Sequence, residues 1–281
     1  MSAPDAPQYY NRTRQSASLS WALLRKGRVL ALPLYAALRS SDLAREGFDH
    51  SGSHRFADHI YRGEPSGRGW FGTWLDGRLL KLPAVRSFRS RFHAARDELA
   101  AFLGAHAGTA RPLHVLSAPC GIPRELADGR RTFLESGGLS VANVIFHGLD
   151  LDAAVLDEAT QFARAAGVEP FVAHHGDVFA RGSYPERVDF ITCTGLAEFL
   201  DDERLAELYS IFFERLSPGG VLVTSGMRRR ALPDYLLRLA EIRIHYRTAA
   251  DLERLARQLP FTRVRTSVDS FGIQAILVAE R

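Results

Sequence analysis

Short clusters of apolar residues alternate, through the second half of the chain, with longer segments in which apolar positions recur at helical spacing. The clusters predict strands at about residues 113–118, 143–149, 171–176, 188–194, 220–226, 263–270 and 273–280, with helices between the first five. Such alternation favours parallel βαβ units and an open, doubly wound sheet. Only a short turn at Phe271 and Gly272 separates the last two predicted strands, so they must form an antiparallel hairpin.

The first part of the chain has a different pattern. Helical spacing over residues 18–44 and 87–106 predicts helices, and the glycine-rich, aromatic stretch 63–77 between them predicts an irregular loop. Histidines, aromatics and glycines concentrate between Phe48 and Asp76, a composition that is common in substrate-facing lids. The small, polar segment 107–112 is typical of a junction. We therefore expect an N-terminal helical cap at 1–110 and an α/β domain at 111–281.

Charge and hydropathy narrow the class of protein. The formal net charge is +4, but only Lys26 and Lys81 are lysines and the arginines are spread along the chain, which argues against a nucleic-acid partner. The apolar run 29–38 is too short to span a membrane, and the first 14 residues lack the apolar segment of a secretory signal. We expect a cytoplasmic protein without a membrane partner; its oligomeric state is unknown from sequence.

Two local features carry weaker predictions. Cys120 and Cys193 are too few and too far apart for a disulfide framework or a zinc site, so we expect buried thiols and no metal. Arg86, Arg89, Arg91 and Arg96 share a predicted helix with several phenylalanines and are expected on its solvated face, whereas Arg228, Arg229 and Arg230 follow a strand and could contact an acidic substrate group.

The segment LHVLSAPCGIPREL, Leu113–Leu126, predicts a buried strand, a tight turn at Gly121 and the start of a helix. The next predicted strand ends at Asp150. A turn of this kind presents backbone N–H groups to an anion, and an acid at the tip of the next strand suits the hydroxyls of a ribose. The two features together predict a site for a nucleoside cofactor.

Four segments in order, LHVLSAPCGIPREL, VIFHGLDLDAAVLDEA, HHGDVF and VDFITCTGLAEFLDDERLAELYSIFFERLSPGGVLVTSG, resemble the successive cofactor motifs of class I S-adenosylmethionine-dependent methyltransferases. The resemblance covers roughly residues 111–281. It implies an α/β, Rossmann-like seven-stranded sheet, mostly parallel with an antiparallel last hairpin, in the strand order 3-2-1-4-5-7-6. It also implies S-adenosylmethionine as the cofactor, contacted by Ser117, Ala118, Pro119, Gly121, Asp150, Leu151, Asp177, Val178, Cys193, Thr194 and Gly195.

The resemblance implies a role for each part of this set. The N–H groups after Gly121 would hold the methionine carboxylate, Asp150 the ribose, Asp177 the adenine amino group, and residues 193–195 would pass along the methyl group. Asp150 could instead cap the following helix, although Asp152 suits that role equally well, and Asp177 could belong to a surface turn. The first motif departs from the family pattern of an acid and three glycines, because Ser117, Pro119, Gly121 and Pro123 stand at those positions.

Methyl transfer to a small molecule is the first hypothesis for the function. It needs mainly positioning, and a base only if the acceptor must lose a proton. Glu198, His175 and Tyr184 are the candidate catalytic residues, and further histidines are possible bases: His50, His54, His59, His174 and His245. Trp70, Phe71 and Trp74 could contact the sulfonium through cation–π interactions or could pack in a core.

A cyclase or lyase is the alternative hypothesis. Without the motif acid, the α-amine of S-adenosylmethionine should be deprotonated more readily. Its attack on its own γ-carbon would yield azetidine-2-carboxylate and release methylthioadenosine. An RNA methyltransferase and a catalytically silent cofactor-binding protein also stay open.

Overall fold

A computed structural model describes residues 31–49, 53–138, 143–230 and 244–281, so the predictions for residues 18–30 and for His50 lie outside the described residues. The described chain forms two compact units. One contains residues from 1–86 and 229–244, and the other contains residues from 87–228 and 245–281. The second unit begins before the predicted junction at 107–112, and a domain boundary near residue 110 stays a prediction.

The described part of the first unit is helical. It contains α1 (Ala31–Leu38), α2 (Asp42–Asp49), α3 (His54–Arg62), α4 (Gly69–Leu79) and the start of α5 (Pro83–Ala105). Ser53 caps α3 by accepting a hydrogen bond from the N–H of Phe56, and Gly63 ends it with a φ of +67°. A helical first part was predicted, and its described elements agree.

The predicted irregular loop at 63–77 is wrong over most of its length, because residues 69–79 form α4. The glycines permit close packing rather than flexibility: a Cβ at Gly72 would lie 2.3 Å from the backbone oxygen of Ser40. Asp76, fully buried on α4, accepts hydrogen bonds from the Ser41 hydroxyl at 2.6 Å and the Leu43 N–H at 2.8 Å, and its other oxygen lies 2.8 Å from His59 Nε2. These bonds join α4 to α3 and to the start of α2.

The second unit contains a seven-stranded sheet in the order β3-β2-β1-β4-β5-β7-β6, which confirms the predicted order. The first five strands are parallel, while β7 is antiparallel to both β5 and β6. Each predicted strand is present: β1 (Leu113–Ser117), β2 (Val144–Asp150), β3 (Phe171–His175), β4 (Val188–Cys193), β5 (Leu216–Met227), β6 (Arg263–Val268) and β7 (Gln274–Glu280).

Helices connect most of these strands: α6 (Arg124–Glu135), α7 (Ala153–Ala165), α8 (Asp202–Arg215) and α9 (Ala249–Ala256). The helix predicted between β3 and β4 is wrong, since only a 3-10 turn, Arg181–Ser183, lies there. Two glycines and Pro185 interrupt helical continuity in this short segment, and the Tyr184 hydroxyl donates to the Val178 carbonyl, which closes the loop on itself.

One part of the core of the second unit lies between the sheet and the helices α5, α6 and α7, and α8 and α9 also contribute fully buried residues such as Leu205 and Leu252. Leu99 of α5 and Leu126 of α6 are fully buried with Val115, Phe146 and Phe190 of the sheet. Because β1 to β5 are parallel, their carboxyl ends lie at one edge of the sheet. No helix within the described ranges is long and apolar enough to cross a membrane.

Candidate functional site

The carboxyl ends of β1, β2, β3 and β4 meet at one edge of the sheet. Ser117 is in register with Gly148 of β2 and with Thr192 of β4, and Asp150 is in register with His175 of β3. The residues predicted to contact the cofactor all lie at these strand ends or in the loops that follow them. The structure therefore brings together four segments that are far apart in sequence.

The loop between β1 and α6 is tied to the neighbouring strands. The Ala118 N–H donates to the Thr192 carbonyl at 2.9 Å, and the Cys120 N–H donates to the Leu149 carbonyl at 2.8 Å. The Ala118–Pro119 peptide bond is cis, and Gly121 has a φ of +50°, a conformation that favours glycine. Backbone hydrogen bonds to β4 on one side and to β2 on the other therefore hold this loop.

Two N–H groups in the region predicted to hold the methionine carboxylate already have acceptors. The Gly121 N–H donates to Asp150 Oδ2 at 3.0 Å, and the Arg124 N–H donates to the Ile122 carbonyl at 2.8 Å. Pro123 stands directly before α6 and has no N–H. The anion-binding turn is thus poorer in available donors than its sequence position predicts.

Asp150 lies half-buried at the end of β2. Its Oδ2 accepts from Gly121 and its Oδ1 accepts from the Asp152 N–H at 3.2 Å. Asp152, not Asp150, caps α7, through a bond from the Ala154 N–H at 2.9 Å. Each carboxylate oxygen can accept a further hydrogen bond, and the adjacent Leu151 is 40% exposed. An acceptor for a diol therefore stands beside an apolar surface that suits a flat base.

The loop after β3 binds its own polar groups. Asp177 Oδ1 accepts from the Phe179 N–H at 2.9 Å, and Val178 is buried. The buried Tyr184 hydroxyl donates to the Val178 carbonyl, and His175 Nε2 lies 3.0 Å from the Leu151 carbonyl. Both Tyr184 and His175 are thus engaged with backbone carbonyls, which favours structural roles for these two catalytic candidates.

A row of three histidines crosses the first three strands. His114 Nδ1 lies 3.0 Å from His147 Nε2, and His147 Nδ1 lies 2.9 Å from His174 Nε2. Burial lowers the pKa of His147 to about 4 and lowers that of His174. Within the described ranges no group of histidine, cysteine or acidic residues is arranged to hold a metal ion. The row is a chain of hydrogen-bonded imidazole rings.

The end of β4 is organised by a buried ion pair that the sequence analysis missed. Arg91 of α5 is only 5% exposed, and its Nη1 lies 3.2 Å from Glu198 Oε1. The expected solvated position of Arg91 is wrong. Gly195, with a φ of +97°, makes room for the guanidinium group, since a Cβ there would lie 2.7 Å from Arg91 Nη2. Arg91 and Glu198 are 107 residues apart, so no local pattern relates them.

A second buried arginine holds the segment that carries Glu198. Arg247, 3% exposed, donates to the carbonyls of Ala197 and Leu200 at 2.6 and 2.7 Å and to Asp202 at 2.9 Å. The carbonyls belong to a 3-10 turn, Ala197–Phe199, and to the residue after it. In addition, the His245 N–H donates to the Glu198 carbonyl at 2.7 Å. These contacts attach the chain after β5 to the loop after β4.

Glu198 is therefore held firmly and is 4% exposed, yet its Oε2 has no hydrogen-bond partner among the described residues. An unpaired buried carboxylate oxygen is costly unless a ligand or solvent group pairs with it. Cys193, at the same strand end, is also buried, and burial raises its thiol pKa well above the usual range. Of the two groups, only Glu198 is suited to accept a proton.

Glu125, in the first turn of α6, is a third residue that the sequence analysis missed. It is 7% exposed, and the Ser117 hydroxyl donates to its Oε1 at 2.6 Å. Burial raises its pKa to about 7. A carboxyl group thus lies next to Ser117, the position where the first motif lacks an acid. Burial raises the thiol pKa of Cys120 in the same loop, and both cysteines are buried, as predicted.

The remaining candidates are the aromatic residues of α4, Arg228 and His59. Trp70, Phe71 and Trp74 lie on α4 in the first unit, where the rings of Phe71 and Trp74 stack at 5.9 Å. Trp70 and Trp74 are 82% and 52% exposed, so they do not form a core. Arg228 donates to the Gly272 carbonyl at 3.3 Å, and His59 is bonded to Asp76.

The sheet is mostly parallel in this strand order and ends in an antiparallel hairpin, a glycine turn follows β1, and an acid ends β2. These features define the fold of class I S-adenosylmethionine-dependent methyltransferases. The chain belongs to the family described as "Putative methyltransferase", whose model matches residues 11–281. No curated protein matches the chain.

Solved structures agree with this fold. A protein from Bordetella parapertussis, described as a possible exported protein, is 24% identical over 99% of both chains with a TM-score of 0.73. The magnesium protoporphyrin IX methyltransferase of Synechocystis, solved with bound S-adenosylhomocysteine, is 16% identical over 84% of this chain and 97% of that chain, with a TM-score of 0.55. The S-adenosylmethionine-dependent methyltransferase SibL is 16% identical over 93% and 76%, with a TM-score of 0.54.

Proposed function

We propose that the protein is an S-adenosylmethionine-dependent methyltransferase that acts on a small molecule. The family and the fold support methyl transfer, and the candidate site supports the cofactor. The single observation that carries the proposal is the meeting of Asp150, the Gly121 loop and Gly195 at one edge of a parallel sheet. S-adenosylmethionine supplies a methyl group already activated on a sulfonium, so the protein has mainly to position it.

The residues at this edge fit the chemical groups of the cofactor. Asp150 would accept hydrogen bonds from the ribose hydroxyls, and Leu151, Asp177 and Val178 would border the adenine. Ser117, Ala118, Pro119 and Gly121 would lie along the methionine end. Cys193, Thr194 and Gly195 would pass along the methyl group.

Glu198 is the candidate that the geometry favours as the proton acceptor. Arg91 holds one carboxylate oxygen at 3.2 Å, and the other oxygen is buried and has no hydrogen-bond partner within the part of the chain that the structure describes. An acceptor hydroxyl or amine could donate its proton to this Oε2 while its lone pair attacks the methyl carbon. General-base catalysis of this kind contributes typically about 10² to 10⁴ in rate.

The cyclase alternative depended on the missing acid near the end of β1. The carboxyl group of Glu125 lies there, bonded to Ser117, so the premise loses its support. The cellular location remains a prediction: we propose the cytoplasm, and a protein of similar fold is described as possibly exported.

The test separates the two reactions by their products. Purified protein would be incubated with methyl-labelled S-adenosylmethionine, first alone and then with a panel of phenols, amines and carboxylic acids. We expect S-adenosylhomocysteine and labelled product only when an acceptor is present. Methylthioadenosine formed without an acceptor would instead support the cyclase or lyase reaction.

Glu198→Gln gives the matching variant, because it keeps the size of the side chain and removes its basicity. We expect the turnover of an acceptor phenol or amine to fall about 10²-fold or more, while calorimetric binding of the cofactor stays within a factor of about three. Glu203→Gln, on the first turn of α8, is a control that should retain wild-type turnover. Equal turnover by Glu198→Gln and wild type would exclude the role as base.

A further inference from the structure

Four buried side chains of the second unit carry polar atoms that have no hydrogen-bond partner within the described part of the chain. Ser87, Thr192, Ser225 and Gln274 are at most 2% exposed, and their unpaired atoms are the three hydroxyl oxygens and Gln274 Oε1. The large majority of buried polar atoms in proteins are paired, so each of these atoms requires an explanation. The four side chains come from four different elements, α5, β4, β5 and β7.

Three of these side chains lie on the face of the sheet that α5 covers. Alternate residues of a strand share a face. Thr192, Ser225 and Gln274 each lie two residues from an apolar residue that packs in the same cluster as Ala95 and Leu99 of α5, namely Phe190, Val223 and Ile276. The three polar residues are also near the carboxyl ends of β4 and β5 and at the start of β7, which is antiparallel to β5. They therefore share one face at the edge of the sheet where the candidate site lies.

α5 supplies the fourth polar side chain, Ser87. Ser87, Arg91 and Ala95 are spaced by four residues, so their side chains form one row along the helix. Ala95 packs in the apolar cluster with the sheet, while Arg91 contacts Glu198 and lies against Gly195. Because Arg91 already lies beside the loop after β4, Ser87 is placed one helical turn, about 6 Å, from the ion pair.

The chemistry of these groups defines what they can bind. Glu198 Oε2 and Gln274 Oε1 accept hydrogen bonds and do not donate, whereas a serine or threonine hydroxyl can do either. The guanidinium group of Arg91 is bonded to the other Glu198 oxygen. The unpaired atoms therefore match a molecule that presents O–H or N–H groups. Since they are shielded from bulk water, a bound molecule without such groups would leave them unpaired, at a cost in binding.

We propose that Ser87, Ser225 and Gln274 form a recognition subsite for the methyl acceptor, and that this acceptor is a neutral molecule with a second O–H or N–H group within about 6 Å of the group that is methylated. The first group would donate its proton to Glu198 as its oxygen or nitrogen takes the methyl group, which leaves S-adenosylhomocysteine. The second group would bond to the subsite. The inference rests on the proposed function and adds the chemical class of its substrate.

The first experiment compares methyl acceptors that differ only in their second group. The full-length protein would be assayed with S-adenosylmethionine and benzene-1,2-diol or benzene-1,3-diol, with the corresponding methoxyphenols and with the corresponding hydroxybenzoates. We expect kcat/KM to be about tenfold or more higher for a diol than for its methoxyphenol. The hydroxybenzoates should have the lowest values, because their carboxylate brings a second negative charge beside Glu198. A preference for the diol in neither pair would overturn the proposal.

Ser225→Ala separates recognition from folding, because the hydroxyl that it removes has no partner among the described residues. We expect kcat/KM for the preferred diol to fall about fivefold or more, with that for the methoxyphenol unchanged and a Tm no lower than that of wild type. Ser217→Ala is the matched control. Ser217 is buried at the other end of β5 and accepts from Arg187 Nε at 2.9 Å, so this variant should have a lower Tm and an unchanged preference for the diol.

Gln274→Met, which is similar in size, is the second variant and should also reduce kcat/KM for the diol about fivefold or more. A lower Tm with an unchanged preference for the diol in both Ser225→Ala and Gln274→Met would assign these groups to the fold and overturn the proposal. Methylation of none of these phenols by a protein that binds S-adenosylmethionine would overturn the substrate class. Failure of wild-type protein to bind S-adenosylmethionine or S-adenosylhomocysteine would reject the proposed function itself, which is a separate result.

Discussion

The two halves of the sheet edge are built in different ways. In the half formed by β1, β2 and β3, the loops are held by backbone N–H groups, as in the bonds from Cys120 to Leu149 and from Gly121 to Asp150. In the half formed by β4 and β5, two buried arginines, Arg91 and Arg247, hold the loop that carries Glu198. The half formed by β1, β2 and β3 therefore depends on chain geometry, and the half formed by β4 and β5 depends on buried charge.

The two halves also differ in their protonation. Burial raises the pKa of Glu125 to about 7 and lowers that of His147 to about 4, so the first half holds groups that titrate within or just below the physiological range. In the second half, burial raises the pKa of Cys193 and Tyr209 well beyond that range. We expect a change of pH to alter the charge of Glu125 and His147 in the first half and to leave the charge of Cys193 and Tyr209 unchanged.

The largest effect should be a loss of stability in the half formed by β4 and β5. Arg247→Ala leaves the Ala197 and Leu200 carbonyls without their buried donor, and each unsatisfied buried group costs about 1–3 kcal/mol. We expect the free energy of unfolding, measured by urea titration, to fall by about 3 kcal/mol. Arg254→Ala is the matched control because it removes an exposed partner of the same Asp202, and its effect should stay below about 1 kcal/mol. Similar losses in both variants would show that the buried carbonyl contacts contribute little.

Substitution of Asp150, in the half formed by β1, β2 and β3, should change ligand binding rather than stability. Asp150→Ala should weaken calorimetric binding of S-adenosylmethionine tenfold or more, because a hydrogen bond to a charged group is worth about 1.5–3 kcal/mol. Asp152→Ala removes the cap of α7, so it should reduce stability by about 1 kcal/mol while binding stays unchanged. Unchanged affinity in Asp150→Ala would reject the ribose assignment.

At neutral pH the smallest effect should come from the histidine row, because its response develops only as the solution becomes acidic. The pKa of His147 in the folded protein is about 4, below its ordinary value of 6.5, so the unfolded chain binds the proton first. Stability should therefore fall as pH decreases from about 6.5 to 4, and the loss should level off below that. His147→Gln should lose less stability than wild type over this interval in urea titrations at each pH. An identical pH dependence in the two proteins would show that other groups dominate.

The sequence predicted the elements whose patterns are local. Seven apolar clusters gave the strands, the short turn at Gly272 required the hairpin, and Asp152 was recognised as a possible cap. Prediction from the sequence was less successful for glycines, because a glycine can permit a turn or can allow two segments to pack closely. The glycines in 63–77 indicated a loop, but Gly72 lies in α4, where the Ser40 backbone leaves no room for a side chain. A local pattern does not distinguish a residue that must bend from one that must be small.

The sequence pattern by itself therefore determined the seven strands, most of the helices between them and the final hairpin, because strand and helix periodicity and turn chemistry act over a few residues. The order of the strands was implied by the resemblance to class I S-adenosylmethionine-dependent methyltransferases and is confirmed by the structure. Only the tertiary structure decided the charged contacts of the site. The Arg91–Glu198 pair, the Arg247 contacts and the burial of Glu125 against Ser117 all depend on which side chains are brought together and shielded from water. Burial sets both the strength of such contacts and the pKa of the acid, and burial is a property of the packed chain.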